Sequence, residues 1–450
     1  MKNIYKYLLF IGMGVIVASC AKEAENLILA GTPRMEEVCA QYKKTLADAE
    51  LGWVIEYKPA ANSGSFNMHL VFSGDSVHIK SDYNVSATNN YLDQANVKYD
   101  VKGVIFPELT FSTYSVFEKL YENAGGHFEF EIKPDSSGSF WLNPVHLVDK
   151  NIRFHLKKAT AQDVLEFNAK VDRQKVINGF ITNSDLKYFK QLDLYAGTDK
   201  KLSGTAVFNA STNTMIFIYR DNGVVKTETY PYKMLTDGIE LLKPFKVGND
   251  DLSKLVVGDL ANNVLPISAV TSGNEHLSGS FTPADTSLYI YKNSGKVYTD
   301  GEVQYEIISF SPKLDSEYMR RIKLLNGYYL SQLYLNWTDR NGKKDQNLYV
   351  MVQSVNAGIY DYNDFTLKPT IKNEDQLYYE YVKGSANLAV NSFVDPFIND
   401  VLANPKGFTI VPLGYNSLNQ PVFTLVSRAD SRYYMTVLQT TRRDNVAKDE

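Results

Sequence analysis

Phe66, Met68, Leu70 and Phe72 alternate with Asn67, His69 and Val71, and past Gly74-Asp75 the pattern resumes with Val77 and Ile79 against His78 and Lys80. A period of two sends successive side chains to opposite faces, so the segment buries one face as a strand and not as a helix. With a two-residue turn, Phe72 faces Val77 and Leu70 faces Ile79 on the core side. His69 and His78 then lie diagonally on the other, solvated face. Two histidines fall short of a zinc site, so no metal is expected there.

The same alternation covers Trp53–Lys58, Phe128–Ile132 and Ile152–Leu156, then Gly204–Asn209, Thr214–Tyr219 and Gly223–Thr229. It returns in Tyr328–Trp337, Asn347–Ser354, Phe408–Leu413, Pro421–Ser427 and Tyr433–Gln439. Turn residues separate these runs: Asp135-Ser136-Ser137-Gly138, Ser211-Thr212-Asn213, Asp221-Asn222-Gly223 and Asp339-Arg340-Asn341-Gly342. The chain holds 31 Tyr, a residue favoured where one face of a strand packs and the hydroxyl reaches water. Tyr328, Tyr329, Tyr334 and Trp337 share one strand and read first as core packing, second as a stacking platform. The expected fold is mainly β, antiparallel sheets in a sandwich- or barrel-like arrangement with a few short helices.

Helical spacing is read in four places. Met35, Val38, Cys39, Tyr42, Leu46 and Ala49 mark one face of an N-terminal helix over Pro33–Leu51, with Thr32 as its cap and Pro33 at its first position. Thr160 caps a second helix, from Ala161 to about Val176, with Val164, Leu165, Asn168 and Val171 as its packed face. Ser316–Asn326 is a third short helix. Ala389–Ala403 is a fourth, which Asp395-Pro396 should kink or split.

The N-terminus sets location rather than fold. Lys2 and Lys6 precede the apolar run Tyr7–Ala18, which ends in Val17-Ala18-Ser19-Cys20. Small residues closing on a cysteine form the pattern cleaved and acylated in bacterial lipoproteins, so residues 1–19 read as a signal peptide and Cys20 as the lipidated first residue of the mature chain. About a dozen apolar residues are too few to span a bilayer, which takes roughly 20. Residues 20–31 are then the tether, with Lys22-Glu23-Ala24-Glu25 resembling the charged signals that send some lipoproteins to the outer leaflet. The remaining organisation is a β-rich unit over 32–300, or two subdomains within it, a C-terminal β-rich domain over 310–440 and a frayed tail over 441–450.

Only two cysteines occur, and with Cys20 acylated Cys39 has no intramolecular partner; its place on the apolar face of the first helix makes it a buried thiol. A net charge of −4 and the lack of a basic stripe argue against a nucleic-acid partner. No His-Glu-x-x-His, Gly-x-Ser-x-Gly or Rossmann fingerprint is present. Ser184…Lys187 spells a Ser-x-x-Lys motif without companions, and Gly295-Lys296 lacks the upstream glycine of a phosphate loop. Glu129 and Glu131 share a strand face, as paired acids of a glycosidase would, but alternating charge is the ordinary solvent face of a strand. Asp75-Ser76-Val77 at a hairpin tip fits a loose O-glycosylation pattern. No catalytic residue, metal ligand or cofactor is assigned.

Leu51-Gly52-Trp53, Lys58-Pro59, the Gly64–Phe72 arm, Leu109-Thr110-Phe111-Ser112-Thr113-Tyr114 and Gly125-Gly126-His127-Phe128-Glu129-Phe130 together resemble a domain-of-unknown-function family of Bacteroidota lipoproteins. His127 stands where that family usually carries Asp, so no carboxylate role is carried over. The resemblance implies a setting beside SusC/SusD-type uptake systems, with a TonB-dependent transporter and a SusD-like lipoprotein as partners. The expected function is therefore a non-catalytic envelope lipoprotein, an accessory or ligand-binding component of nutrient uptake. It would be anchored by lipid in the outer membrane, on the periplasmic face or the cell surface. A structural or adhesion lipoprotein and a hydrolase with scattered acids are the alternatives.

Overall fold

The computed structural model describes residues 34–83, 91–146, 152–183, 185–284, 287, 303–323, 327–335, 348–354, 360–372, 376–416 and 418–441. Cys20, the tether, Thr32-Pro33, Ser184, Gly295-Lys296, Trp337 and most of the tail lie outside them. The strands close into three antiparallel barrels of eight strands each. The first runs from β1 (Trp53–Tyr57) to β8 (Phe154–Lys158), the second from β9 (Phe189–Ala196) to β16 (His276–Ala284), and the third from β17 (Val303–Phe310) to β24 (Tyr434–Thr441). Closure pairs each of the described strands on both sides, so among them none is left as an open edge. The fold is mainly β, as the alternation requires, and barrels are the form it takes.

The hairpin of β2 (Phe66–Ser73) and β3 (Ser76–Ser81) has the expected register, Phe72 opposite Val77 and Leu70 opposite Ile79. The turn is made possible by Gly74, whose φ of +57° an L side chain seldom adopts. Each barrel has its own apolar interior, filled in the first by Trp53, Tyr57, Phe66, Phe117 and Phe130 among others.

Helices pack against the barrels. α1 (Met35–Ala47) begins after an exposed Arg34 cap and lays Cys39 and Leu46 on the first barrel, so Cys39 is a buried free thiol. α2 (Val116–Ala124) is capped by Ser115 and buries Val116, Phe117 and Leu120 in the same core. It stops at Gly125, which at φ +68° is the left-handed residue that ends helices. Gly126 follows because a Cβ there would lie 2.6 Å from the Tyr57 hydroxyl, which donates to the His127 carbonyl at 2.9 Å. The Gly-Gly-His stretch is thus explained by packing.

α3 (Ala161–Thr182) carries the expected Thr160 cap but runs six residues past Val176. Its packed face is also different. Phe167, Gln174, Ile177, Asn178 and Phe180 are buried, whereas Leu165 is 64% exposed and Asn168 points to solvent. The packed face contains a glutamine and an asparagine, so apolar spacing alone misplaced Leu165 and Asn168, while Val164 and Val171 of the expected stripe are half-buried. α3 also covers part of the first barrel: the His69 ring lies 5.7 Å from Phe167, so that face of β2 is covered rather than solvated.

In the third barrel, Pro312–Leu314, Asp315–Met319 and Arg320–Lys323 run on as α4, with a π-wound middle. α5 (Leu388–Phe397) continues past Pro396 into a π-turn over Ile398–Leu402. Pro396 brings no N–H to the ladder, and the wider turn takes up the strain without a break. Among the described residues no helix is long and apolar enough to cross a membrane.

The two joints between barrels differ in chemistry. The first and second meet through polar bonds: Gly64 N donates to Thr212 O at 2.8 Å, Ser65 N to Tyr232 O at 3.1 Å and Asn213 Nδ2 to Ser65 O at 2.9 Å. A Cβ on Gly64 would fall 2.1 Å from Tyr232 O, so the close approach of the backbones there requires glycine. The second and third barrels instead share an apolar cluster of Phe189, Val207, Ile216, Ile218, Val411 and Val426.

Candidate functional site

A cleft of about 660 Å³ opens where the three barrels converge. That volume lies inside the usual range for small-ligand sites, roughly 300–1,000 Å³. The first barrel contributes Lys119, Glu122 and Asn123 of α2, and the second contributes Tyr188, Lys190 and the 207–212 turn of β10 (Asp199–Asn209). From the third come Ile308, Leu413, Tyr415, Thr424 and Tyr434.

Two of these positions exist because of β-bulges. The register of β17 against β24 shifts between Ile307 and Ser309, and that of β22 (Phe408–Tyr415) against β23 (Pro421–Ser427) between Pro412 and Gly414. The residues skipped are Ile308 and Leu413, and both line the cleft. A bulge re-aims one side chain without disturbing the rest of the strand, and bulges are enriched beside functional sites.

Tyrosines form one wall. The Tyr188 and Tyr434 rings pack at 4.7 Å, and Tyr188 is hydrogen-bonded to Thr424. Burial holds the Tyr434 hydroxyl up at about 12, so it is a neutral donor throughout the physiological range. Tyr415 is 67% exposed on the rim.

Lys190 lies in this cleft, only 1% exposed. Its Nζ donates to the Lys187 carbonyl and sits 4.8 Å from the centre of the Phe180 ring. Burial pushes its pKa down to about 7, because a charged ammonium is poorly solvated there. Glu122, by contrast, is already engaged by Lys119 Nζ at 3.1 Å and the Tyr114 hydroxyl at 2.6 Å.

The residues singled out from sequence lie elsewhere. His69 Nε2 is 2.7 Å from Leu51 O, and His78 bonds Asp93, so the two histidines are turned to separate partners. Glu129 bonds His146 at 2.9 Å and Glu131 pairs with Lys133 at 2.9 Å, on the outer face of the first barrel. Among the described residues no group of three or more His, Cys, Asp and Glu is placed to hold a metal. In β18 (Tyr328–Leu335), Tyr328 packs on the third core and Tyr329 is partly exposed, and neither lines the cleft. Sequence reasoning missed Lys190 and the bulged residues; Gly414 was the one local signal for a bulge.

Residues 30–258, half of the chain, match the model of a domain of unknown function, DUF4302. The chain belongs to this family. The DUF4302 match takes in the first barrel and the second as far as β14 (Asp250–Val257), leaving β15 (Leu265–Val270), β16 and the third barrel beyond it. No curated relative matches the sequence. Among solved structures, a DNA polymerase III subunit beta sliding clamp from Bartonella birtlesii is similar at 9% identity and a TM-score of 0.18, over 90% of this chain and 98% of that one. TolB from Acinetobacter baumannii is similar at 10% identity and a TM-score of 0.09, over 86% of this chain and 63% of that one.

Proposed function

We propose that this DUF4302 protein is a non-catalytic, lipid-anchored envelope protein that holds a small ligand in the three-barrel cleft. The observation that carries the reading is the cleft itself, built by all three barrels, walled by tyrosines and containing a buried amine. A cleft at a domain junction with a few convergent polar groups is the usual form of a binding site. The Lys2–Cys20 segment supports the anchor, and the resemblance of the Leu51-Gly52-Trp53 and Gly125-Gly126-His127 stretches supports a place beside a TonB-dependent transporter and a SusD-like lipoprotein.

Two experiments test this. Protein lacking residues 1–20 should be stabilised by one class among candidate peptides, glycans and haem. Ligand at 100 times its Kd gives about 2.7 kcal/mol, readable as a thermal shift. Ala210→Trp, which places a large ring in the cleft, should abolish that shift while leaving the unliganded melt unchanged. A ligand that stabilises both forms equally would place binding elsewhere. For the anchor, Cys20→Ala should end palmitate incorporation and move the protein from the membrane to the soluble fraction. A variant that stays with the membrane would refute the lipid attachment.

A further inference from the structure

We infer that the ligand carries a compact anionic group, a carboxylate, sulfate or phosphate, which seats against the ammonium of Lys190; this rests on the cleft being a ligand site. The charged residues lining the cleft are Lys119, Glu122 and Lys190. Glu122 is held by Lys119 and by Tyr114, so those charges cancel locally. Lys190 has no such partner: among the described residues no carboxylate lies within 4.0 Å of its Nζ. An ammonium carries three donors, and the Lys187 carbonyl takes one.

A buried charge is ordinarily paired, and one left without a counter-ion is costly. Simple structural packing would be served better by Leu or Met at this position, since the amine lies over the Phe180 ring and the strand partners of Lys190 are Ala206 and Pro283. An incoming anion accepts the two free donors and supplies the missing charge. Burial then works in favour of recognition, because a charge-assisted bond is stronger where water is scarce.

The test needs no knowledge of the natural ligand. Protein lacking residues 1–20 is treated at pH 7, where Lys190 holds both its ammonium and its reactive amine form, with N-hydroxysuccinimidyl acetate, an uncharged acylating reagent, and acetylation of Lys190 is followed by peptide mass spectrometry. Exposed Lys406 serves as control. The reaction is repeated in sulfate, phosphate and acetate against chloride of matched ionic strength. At least one of these anions should slow acetylation of Lys190 about fivefold or more, with Lys406 unaffected, and the most protective anion names the group. Acetylation at the same rate in every salt would overturn the anion assignment and leave the cleft standing as an accessible site. A Lys190 that stays unmodified while Lys406 reacts would show the cleft closed to small molecules, and the binding reading would fall with it.

Discussion

Trp53→Ala is expected to destabilise the protein by about 3–5 kcal/mol, the usual loss for truncating a buried aromatic side chain. Trp53 is fully buried, its ring 5.3 Å from Phe140, and its Nε1 donates to the Leu46 carbonyl at 2.9 Å. It also sits at the seam of the first barrel, where the ladder between β1 and β8 pairs Trp53 with Lys158 and Val54 with Lys157. One substitution therefore opens a cavity, leaves the last turn of α1 without its donor and loosens the closing strand pair. Trp141→Ala is the control. Trp141 is stacked on the outer face between the His155 ring at 4.5 Å and the Arg153 guanidinium at 4.1 Å, and its loss should cost about 1 kcal/mol or less. Urea midpoints followed by far-UV circular dichroism compare the two. Equal losses would mean that the seam is not where the first barrel is held.

That contrast also shows what was legible beforehand. Alternation in Phe66–Phe72 and Val77–Ile79, joined by Gly74-Asp75, set the hairpin register because a one-residue slip would turn every apolar side chain outward. Cys39 and Leu46 could be placed inside because their helix packs with apolar residues alone. α3 defeated the same reasoning, since it buries Gln174 and Asn178 against two barrels and leaves Leu165 in water. The docking of one barrel on another has no local signature either. Tyr188 and Lys190 are distant in sequence from Lys119, Leu413 and Tyr434 and meet them only once three barrels have closed and docked. The tyrosines conspicuous in sequence, in β18, stand away from the cleft, while those that wall it are scattered singly.

Two buried ionisable groups should give the stability a trough near pH 7. Asp82 is completely buried at the first joint, where its carboxylate accepts from Asn67 N at 3.0 Å and Asn67 Nδ2 at 2.7 Å. The groups facing it are Lys170 of α3, whose Nζ reaches Asn67 Oδ1 at 3.2 Å, and the buried Tyr232 hydroxyl of β12 (Val224–Met234). Burial outweighs those hydrogen bonds and the Lys170 charge and pushes the pKa up to about 7 from 3.8. The native state then keeps a proton that the unfolded chain releases near pH 4. The stability this contributes is whole below pH 4 and is lost as pH rises to 7. Lys190 has the opposite sign. Its native pKa of about 7 lies below the 10.5 of the free side chain, so its contribution is whole above that value and is lost as pH falls to 7. At about 1.4 kcal/mol per pH unit, the limbs amount to ~4 kcal/mol for Asp82 and ~5 kcal/mol for Lys190 at most. Asp82→Asn should flatten the acid limb, gaining on the wild type from pH 5 to 7, and Lys190→Met the alkaline limb, gaining as pH falls from 9 to 7. Constant offsets from lost hydrogen bonds leave these slopes untouched. Urea unfolding at half-unit pH steps reads both, and a variant whose stability runs parallel to the wild type across its own limb would show that its residue is not the buried proton exchanger assigned to it.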